Sequence, residues 1–223
     1  MKILIVGSGE NVNTLQKIIP PTCEVTVVAE WENTLTNFEI IFDLHFDDNP
    51  VYLSEYANLH QKSVVVSAAK IQLAKVIHDF KTEIKCHLIG MNMLPTFIER
   101  KITELTIAYD KDAPATELLA NKLQWNIRIV NDRVGMVTPR IIFMIINEAC
   151  YTLQEGTASI KDIDVAMKLG TNYPYGPFEW ADKIGIKNVY ELLVALYADT
   201  QDERYKICPL LKTKYLKNEK FYQ

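Results

Sequence analysis

The chain has no C-x-x-C pair, no excess of basic charge and no apolar run long enough to cross a bilayer. Its cysteines are Cys23, Cys86, Cys150 and Cys208, widely spaced and with no histidine at metal-ligand spacing. That pattern argues against a disulfide framework or a zinc site, so no metal is expected and the thiols read as small buried apolar groups. After one lysine, the N-terminal apolar run covers only residues 3–6 before Gly7 interrupts it, too short for the apolar core of a signal peptide. A cytoplasmic protein is expected, with no membrane partner. The formal charge is −4, and no basic face for nucleic acid is evident. What is present is 48% apolar content in 223 residues, enough to bury the core of one large domain or two small ones.

Short β-rich runs alternate with helical patterns through the first 132 residues, the signature of a mainly parallel sheet flanked by helices. The candidate strands are 2–6, 24–29, 38–44, 63–67, 84–89, 103–108 and 125–130. Helical patterns occupy 14–19, 51–60, 71–80 and 115–123. Beyond Asp132 the β-branched alternation disappears and helix start signals take over. Thr138 and Pro139 open an apolar helix that Gly156 closes, Ser159 with Asp162 opens the next, Pro177 and Pro209 begin two more, and Asn188 with Glu191 forms a capping box. The fold class is α/β: a reduced Rossmann-type, mainly parallel sheet over residues 1–132, followed by a smaller all-helical domain over 133–223. The helix after Pro139 is apolar nearly all round, so it is either the centre of its domain or part of a subunit interface.

Gly7-Ser8-Gly9 directly follows the first strand, where a dinucleotide-binding fold needs a tight turn and close backbone approach to a pyrophosphate. Glu30, at the end of the second strand, is placed to accept ribose hydroxyls, and its charge favours NAD over NADP. Three features oppose a cofactor. Val12 stands where a third glycine would let the helix approach the strand. Glu10 adds negative charge beside the phosphates, and Asn13 with Gln16 reads as a capping box that would start the helix late. The alternative is a sheet-to-helix turn that binds nothing.

Several longer motifs carry a family resemblance. Gly90-Met91-Asn92-Met93-Leu94-Pro95, continuing to Lys101-Ile102-Thr103-Glu104-Leu105, looks like a G-x-H-F-F-N-P strand end followed by a K-L-V-E-V strand. Gly135-Met136-Val137 through Asn147-Glu148-Ala149 resembles a G-F-V-x-N-R helix start. Asp162-Ile163-Asp164 to Gly170, then Tyr173-Pro174-Tyr175-Gly176-Pro177-Phe178-Glu179, resembles D-I-D-x-A-M-K-L-G and P-x-G-P-x-E. Together they resemble the 3-hydroxyacyl-CoA dehydrogenases. The resemblance implies oxidation of a 3-hydroxyacyl-CoA ester, with hydride passing to NAD while a histidine oriented by a glutamate takes the hydroxyl proton. It also implies an acyl-CoA-type small-molecule partner and a homodimer through the helical domain. Glu104 stands at the glutamate's position, but Asn92 stands at the histidine's, and an amide cannot exchange a proton near neutral pH as imidazole does. A family serine aligns with Ala69 and a family asparagine with Pro139. Between Glu30 and Asp43 the family's helical hairpin, which helps to hold coenzyme A, is replaced by a short link. Two outcomes are weighed: an impaired NAD-dependent oxidoreductase of this type, and a catalytically silent binding or scaffold homologue.

Other polar groups offer less. His45, among Asp43, Asp47 and Asp48, lies at the carboxyl edge of the sheet and is either a substitute base or a solvated loop residue. His60, His78 and His87 read as structural or surface groups, and the aromatics around Trp180 as packing.

Overall fold

The computed structural model describes residues 1–30 and 35–222. They fall into two compact units, Met1–Met136 and Val137–Gln223. The sequence pattern puts the change of character at Asp132. Residues 133–136 stay with the first unit for a physical reason: the Gly135 amide donates to the Ala69 carbonyl at 2.7 Å, and Met136 is packed in the sheet's core.

The first unit is built on seven strands: β1 (Lys2–Val6), β2 (Glu24–Val28), β3 (Ile40–Asp43), β4 (Ser63–Ser67), β5 (His87–Met91), β6 (Thr103–Ile107) and β7 (Ile127–Val130). Their order is β2-β1-β3-β4-β5-β6-β7, all parallel except the β5–β6 pair. Helices α1 (Glu10–Ile18) and α4 (Ala113–Leu123) cover one face, where Val12, Leu15, Leu119 and Leu123 pack on Ile3, Ile5, Phe42, Val65 and Ile89. Helices α2 (Leu53–Ala57) and α3 (Leu73–Phe80) cover the other, with Leu53, Tyr56, Leu73 and Val76 against Leu4, Ile41, Val64 and Leu88. Central strands buried on both faces explain why β3, β4 and β5 read as continuous apolar runs rather than alternating ones.

Some boundaries differ from the sequence pattern. The fifth strand is displaced toward Met91, because Ile84 and Cys86 fill the core under α3 before the ladder begins. Trp125 lies outside β7; its indole donates to the Ile18 carbonyl at 2.8 Å and its ring lies against Phe42, closing the end of α1. Helix α1 starts at Glu10, not after Asn13. Gly9, with φ +81°, turns the chain straight into the helix, and the Thr14 hydroxyl bonds back to the Glu10 carbonyl inside it.

The second unit holds α5 (Thr138–Gln154), α6 (Ile160–Thr171), α7 (Pro177–Ile184), α8 (Ile186–Thr200) and α9 (Pro209–Lys217). Helix α5 is central, with the other four packed on it. Its apolar girth is explained by Ile142, Phe143, Ile146, Ala149 and Cys150, all buried. Ser159 caps α6, its hydroxyl accepting from the Asp162 amide. The expected box at Asn188 is not a helix start: α8 begins at Ile186, and the Asn188 amide group donates back to the Ile184 carbonyl. No helix among the described residues is long and apolar enough to cross a membrane.

Candidate active site

The strand order reverses at β1, whose neighbours β2 and β3 are connected on opposite sides. In open α/β sheets the crevice beyond the carboxyl ends at such a reversal is where ligands gather. Gly7, Ser8 and Gly9 leave β1 there, and Leu44 to Asn49 leave β3 beside them. A side chain at Gly7 would come within 3.1 Å of the Leu44 Cβ and 3.2 Å of a Val12 methyl, so this glycine permits the close packing of turn, helix and neighbouring loop. Val12 therefore does not push α1 off the sheet. It is buried in the same core as Ile3 and Ile5, using the space that Gly7 leaves. Above Gly9 the space is open, with no heavy atom within 4 Å of where a Cβ would be.

These residues fit the phosphate portion of a dinucleotide: a left-handed glycine, open space above it, and the amide end of a nine-residue helix directly behind. Glu10, acidic and in the helix's first turn, reduces the attraction for an anion. Glu30 is exposed two residues beyond the Val6–Val28 pair that ends the β1–β2 ladder, one strand from the glycine turn. Between β2 and β3 the described residues hold one turn of 3-10 helix, Leu35–Asn37, while residues 31–34 of the link lie outside those described.

Asn92 follows β5 directly and is buried, its side-chain oxygen accepting from the Leu94 amide at 3.2 Å. The last β5–β6 partners are Met91 and Leu105, and the same register carried one step past the end of β5 would bring Asn92 opposite Glu104. Met91 and Leu105 belong to the α1/α4 side, which turns Glu104 and Thr106 of β6 to the other face. On that face Gly90 lies under Thr106, whose hydroxyl is buried with no partner among the described residues. Helix α1 reaches this loop as well: the Asn11 amide group donates to the Met93 carbonyl at 3.1 Å. The glycine turn and the loop carrying Asn92 are thus tied together, through a residue the sequence motifs did not single out.

All four histidines are described, and none stands beside Asn92. His60, His78 and His87 belong to the amino edge of the sheet, preceding β4, ending α3 and beginning β5. His45 is at the carboxyl edge but exposed on the β3 loop, two strands and roughly 10 Å from β5. The acids around it have structural partners. Buried Asp43 accepts from the His45 amide at 2.8 Å and from the Tyr56 hydroxyl at 2.9 Å; burial holds its carboxyl above the ordinary range. Asp47 takes the Ser67 hydroxyl at 2.6 Å, the Ala69 amide at 3.0 Å and the Lys70 amide at 2.7 Å. Asp48 meets the buried Lys70 ammonium at 2.6 Å. Where the family serine aligns, Ala69 offers only its backbone. Pro139, in the first turn of α5, brings no polar side chain.

A parallel sheet with a glycine turn at its order reversal, followed by an all-helical unit around one apolar helix, defines a dinucleotide-type fold with a helical C-terminal domain. Residues 135–221 match the family model described as "3-hydroxyacyl-CoA dehydrogenase, C-terminal domain". Over 87 residues it is 46% identical to 3-hydroxyadipyl-CoA dehydrogenase of Escherichia coli (strain K12), covering 39% of this chain and 18% of that protein. Over 133 residues it is 35% identical to a probable 3-hydroxybutyryl-CoA dehydrogenase of Bacillus subtilis (strain 168), covering 58% of this chain and 46% of that one. The chain thus spans less than half the length of these curated relatives. Its fold is that of (S)-3-hydroxybutyryl-CoA dehydrogenase PaaH1 from Ralstonia eutropha, with TM-score 0.75 at 20% identity over 97% of this chain and 94% of that one.

Proposed function

We propose that the chain is an NAD-dependent oxidoreductase of 3-hydroxyacyl-CoA dehydrogenase type, converting a 3-hydroxyacyl-CoA to the 3-oxo ester, with turnover impaired by Asn92. The observation that carries this reading is the carboxyl edge itself, where Asn11 ties the start of α1, next to the glycine turn, to the loop that carries Asn92. Gly7, Ser8, Gly9 and Glu30 would hold NAD, which supplies the hydride acceptor. Asn92 can hold a substrate oxygen by hydrogen bonding but cannot take its proton, because a carboxamide is neither a base nor an acid near neutral pH. Losing a positioned acid–base group lowers the rate by about 10² to 10⁴. The partner is an acyl-CoA-type small molecule. A homodimer through the helical domain and a cytoplasmic setting belong to the same reading and rest on the family resemblance alone.

The second reading, a silent binding or scaffold homologue, draws on the four histidines, none of which is near Asn92. Calorimetric titration with NAD and acetoacetyl-CoA, followed by NADH oxidation assays on the wild type and Asn92→His, separates the two. Binding with weak turnover that rises in Asn92→His supports the oxidoreductase. Absence of both heat and turnover leaves the scaffold reading.

A further inference from the structure

At the opposite edge of the sheet, the amino ends of β3, β4 and β5 and one side of α4 line a half-open cavity of about 320 Å³. It lies within the first unit, a strand's length of roughly 15 Å from the candidate active site. His60, Lys62, His87 and Lys122 bring four basic side chains to it, together with Gln61 and Ser63. Its one acidic side chain is Glu39, which accepts from the Lys2 amide at 3.2 Å. Ile40, Ala115, Leu118 and Leu119 supply an apolar wall, and Leu118 is 56% exposed on it.

The arrangement behind His87 sets this cavity apart from a surface cleft. Asp112 is 2% exposed, and one of its carboxylate oxygens meets His87 Nδ1 at 2.9 Å. The other oxygen has no partner among the described residues. A carboxylate so deeply placed and half satisfied costs stability, and among the described residues the side chain it meets is the cavity's imidazole. With Nδ1 bound to Asp112, the ring is fixed and its other nitrogen is left for the cavity. Ser63 is the register partner of His87 on the adjacent strand, which puts a hydroxyl beside the ring.

We infer that this cavity binds a small organic anion, a phosphate or carboxylate carrying a short apolar portion. The lysines and imidazoles meet the anionic group, and Ile40, Leu118 and Leu119 cover the apolar portion. The volume is at the small end of ligand sites, which suits a metabolite-sized molecule rather than a nucleotide. This inference is independent of whether the carboxyl edge turns over.

The test follows the histidine ring resonances of the full chain by NMR. Inorganic phosphate and butyrate are added separately, with chloride holding ionic strength constant. The expected result is saturable shifts of His60 and His87, with Kd in the millimolar range, and no change at His45 or His78. Replacing the two lysines, Lys62→Ala with Lys122→Ala, should weaken binding at least about tenfold. Glu39→Gln, which keeps an acceptor for the Lys2 amide but removes the charge, should tighten it. Saturation by phosphate alone assigns a phosphorylated ligand, and saturation by butyrate alone a carboxylate. Unsaturable shifts, equal shifts of all four rings, or unchanged affinity in the lysine variant would overturn the inference.

Discussion

Asp164→Ala is expected to loosen the second unit more than any surface substitution. The Asp164 carboxylate is buried and accepts from the Phe178 amide at 2.8 Å, the Glu179 amide at 2.9 Å and the Tyr222 hydroxyl at 2.8 Å. The first two are orphan amides of the first turn of α7, where a negative charge also complements the helix dipole. Alanine strands the Phe178 amide in a site from which water is excluded, leaves the Glu179 amide partly wet, and frees a tyrosine hydroxyl that is exposed enough to find solvent. At about 1–3 kcal/mol for a buried unsatisfied donor and under 1 kcal/mol for the dipole, the loss reaches up to about 4 kcal/mol. For a unit of this size that lowers its melting temperature by about 15–25 °C. Tyr222→Phe removes only the part-buried hydrogen bond from the hydroxyl and is expected to cost about 1 kcal/mol. Urea unfolding of both variants, with amide exchange at Phe178 and Glu179, measures the difference. If Asp164→Ala costs no more than Tyr222→Phe, or the two amides stay protected, the capping argument fails.

Gly90→Ala would place its methyl 2.5 Å from a Thr106 methyl and 2.8 Å from the Ala68 Cβ; forcing β4, β5 and β6 apart is expected to cost about 1–3 kcal/mol in urea melts. Asp43 makes a pH prediction: burial raises its folded pKa above the ordinary 3.8, so between those values the folded state binds more protons than the unfolded one. Wild-type stability should therefore gain on that of Asp43→Asn as pH falls from 7 toward 4, and a gap that widens the other way would contradict the burial argument.

Most of the strands were legible because they are short runs rich in Val, Ile and Thr, whereas β5, His-Leu-Ile-Gly-Met, lacks that composition and was placed three residues early; the helical second half was legible because its start signals are local. What misled were capping boxes. Asn13–Gln16 and Asn188–Glu191 have the right residues, yet Gly9 and Gly185, with φ of +81° and +92°, had already turned the chain into helix. The Asn92–Glu104 pairing was accessible through resemblance, since both motifs are contiguous. The Asp47 clamp on Ser67, Ala69 and Lys70 was not: it depends on β3 and β4 lying side by side, a relation with no local signal. Asp132 is similar, its carboxylate accepting from Leu73 and Ala74 at the start of α3 across some sixty residues of chain.

The placement of Asn92 can be tested without any activity. Its side-chain oxygen holds the Leu94 amide, so the position has a structural duty that aspartate can also perform. Asn92→Asp retains that acceptor, whereas Asn92→Ala loses it and strands the amide. On local grounds alone, aspartate should be the milder change. With the β5–β6 register carried one step past Met91 and Leu105, however, residue 92 would stand opposite Glu104, and like charges directly opposite on a sheet are destabilising. In a buried position the repulsion outweighs one retained hydrogen bond, because bringing a second carboxylate out of water is itself unfavourable. Asn92→Asp is therefore expected to be less stable than Asn92→Ala at pH 7, with the order reversing on acidification as the new carboxyl becomes neutral. Adding Glu104→Gln to the aspartate variant should restore stability at neutral pH. If Asn92→Asp is the more stable of the two at pH 7, residue 92 does not face Glu104, and the geometry on which the reaction centre is drawn is wrong.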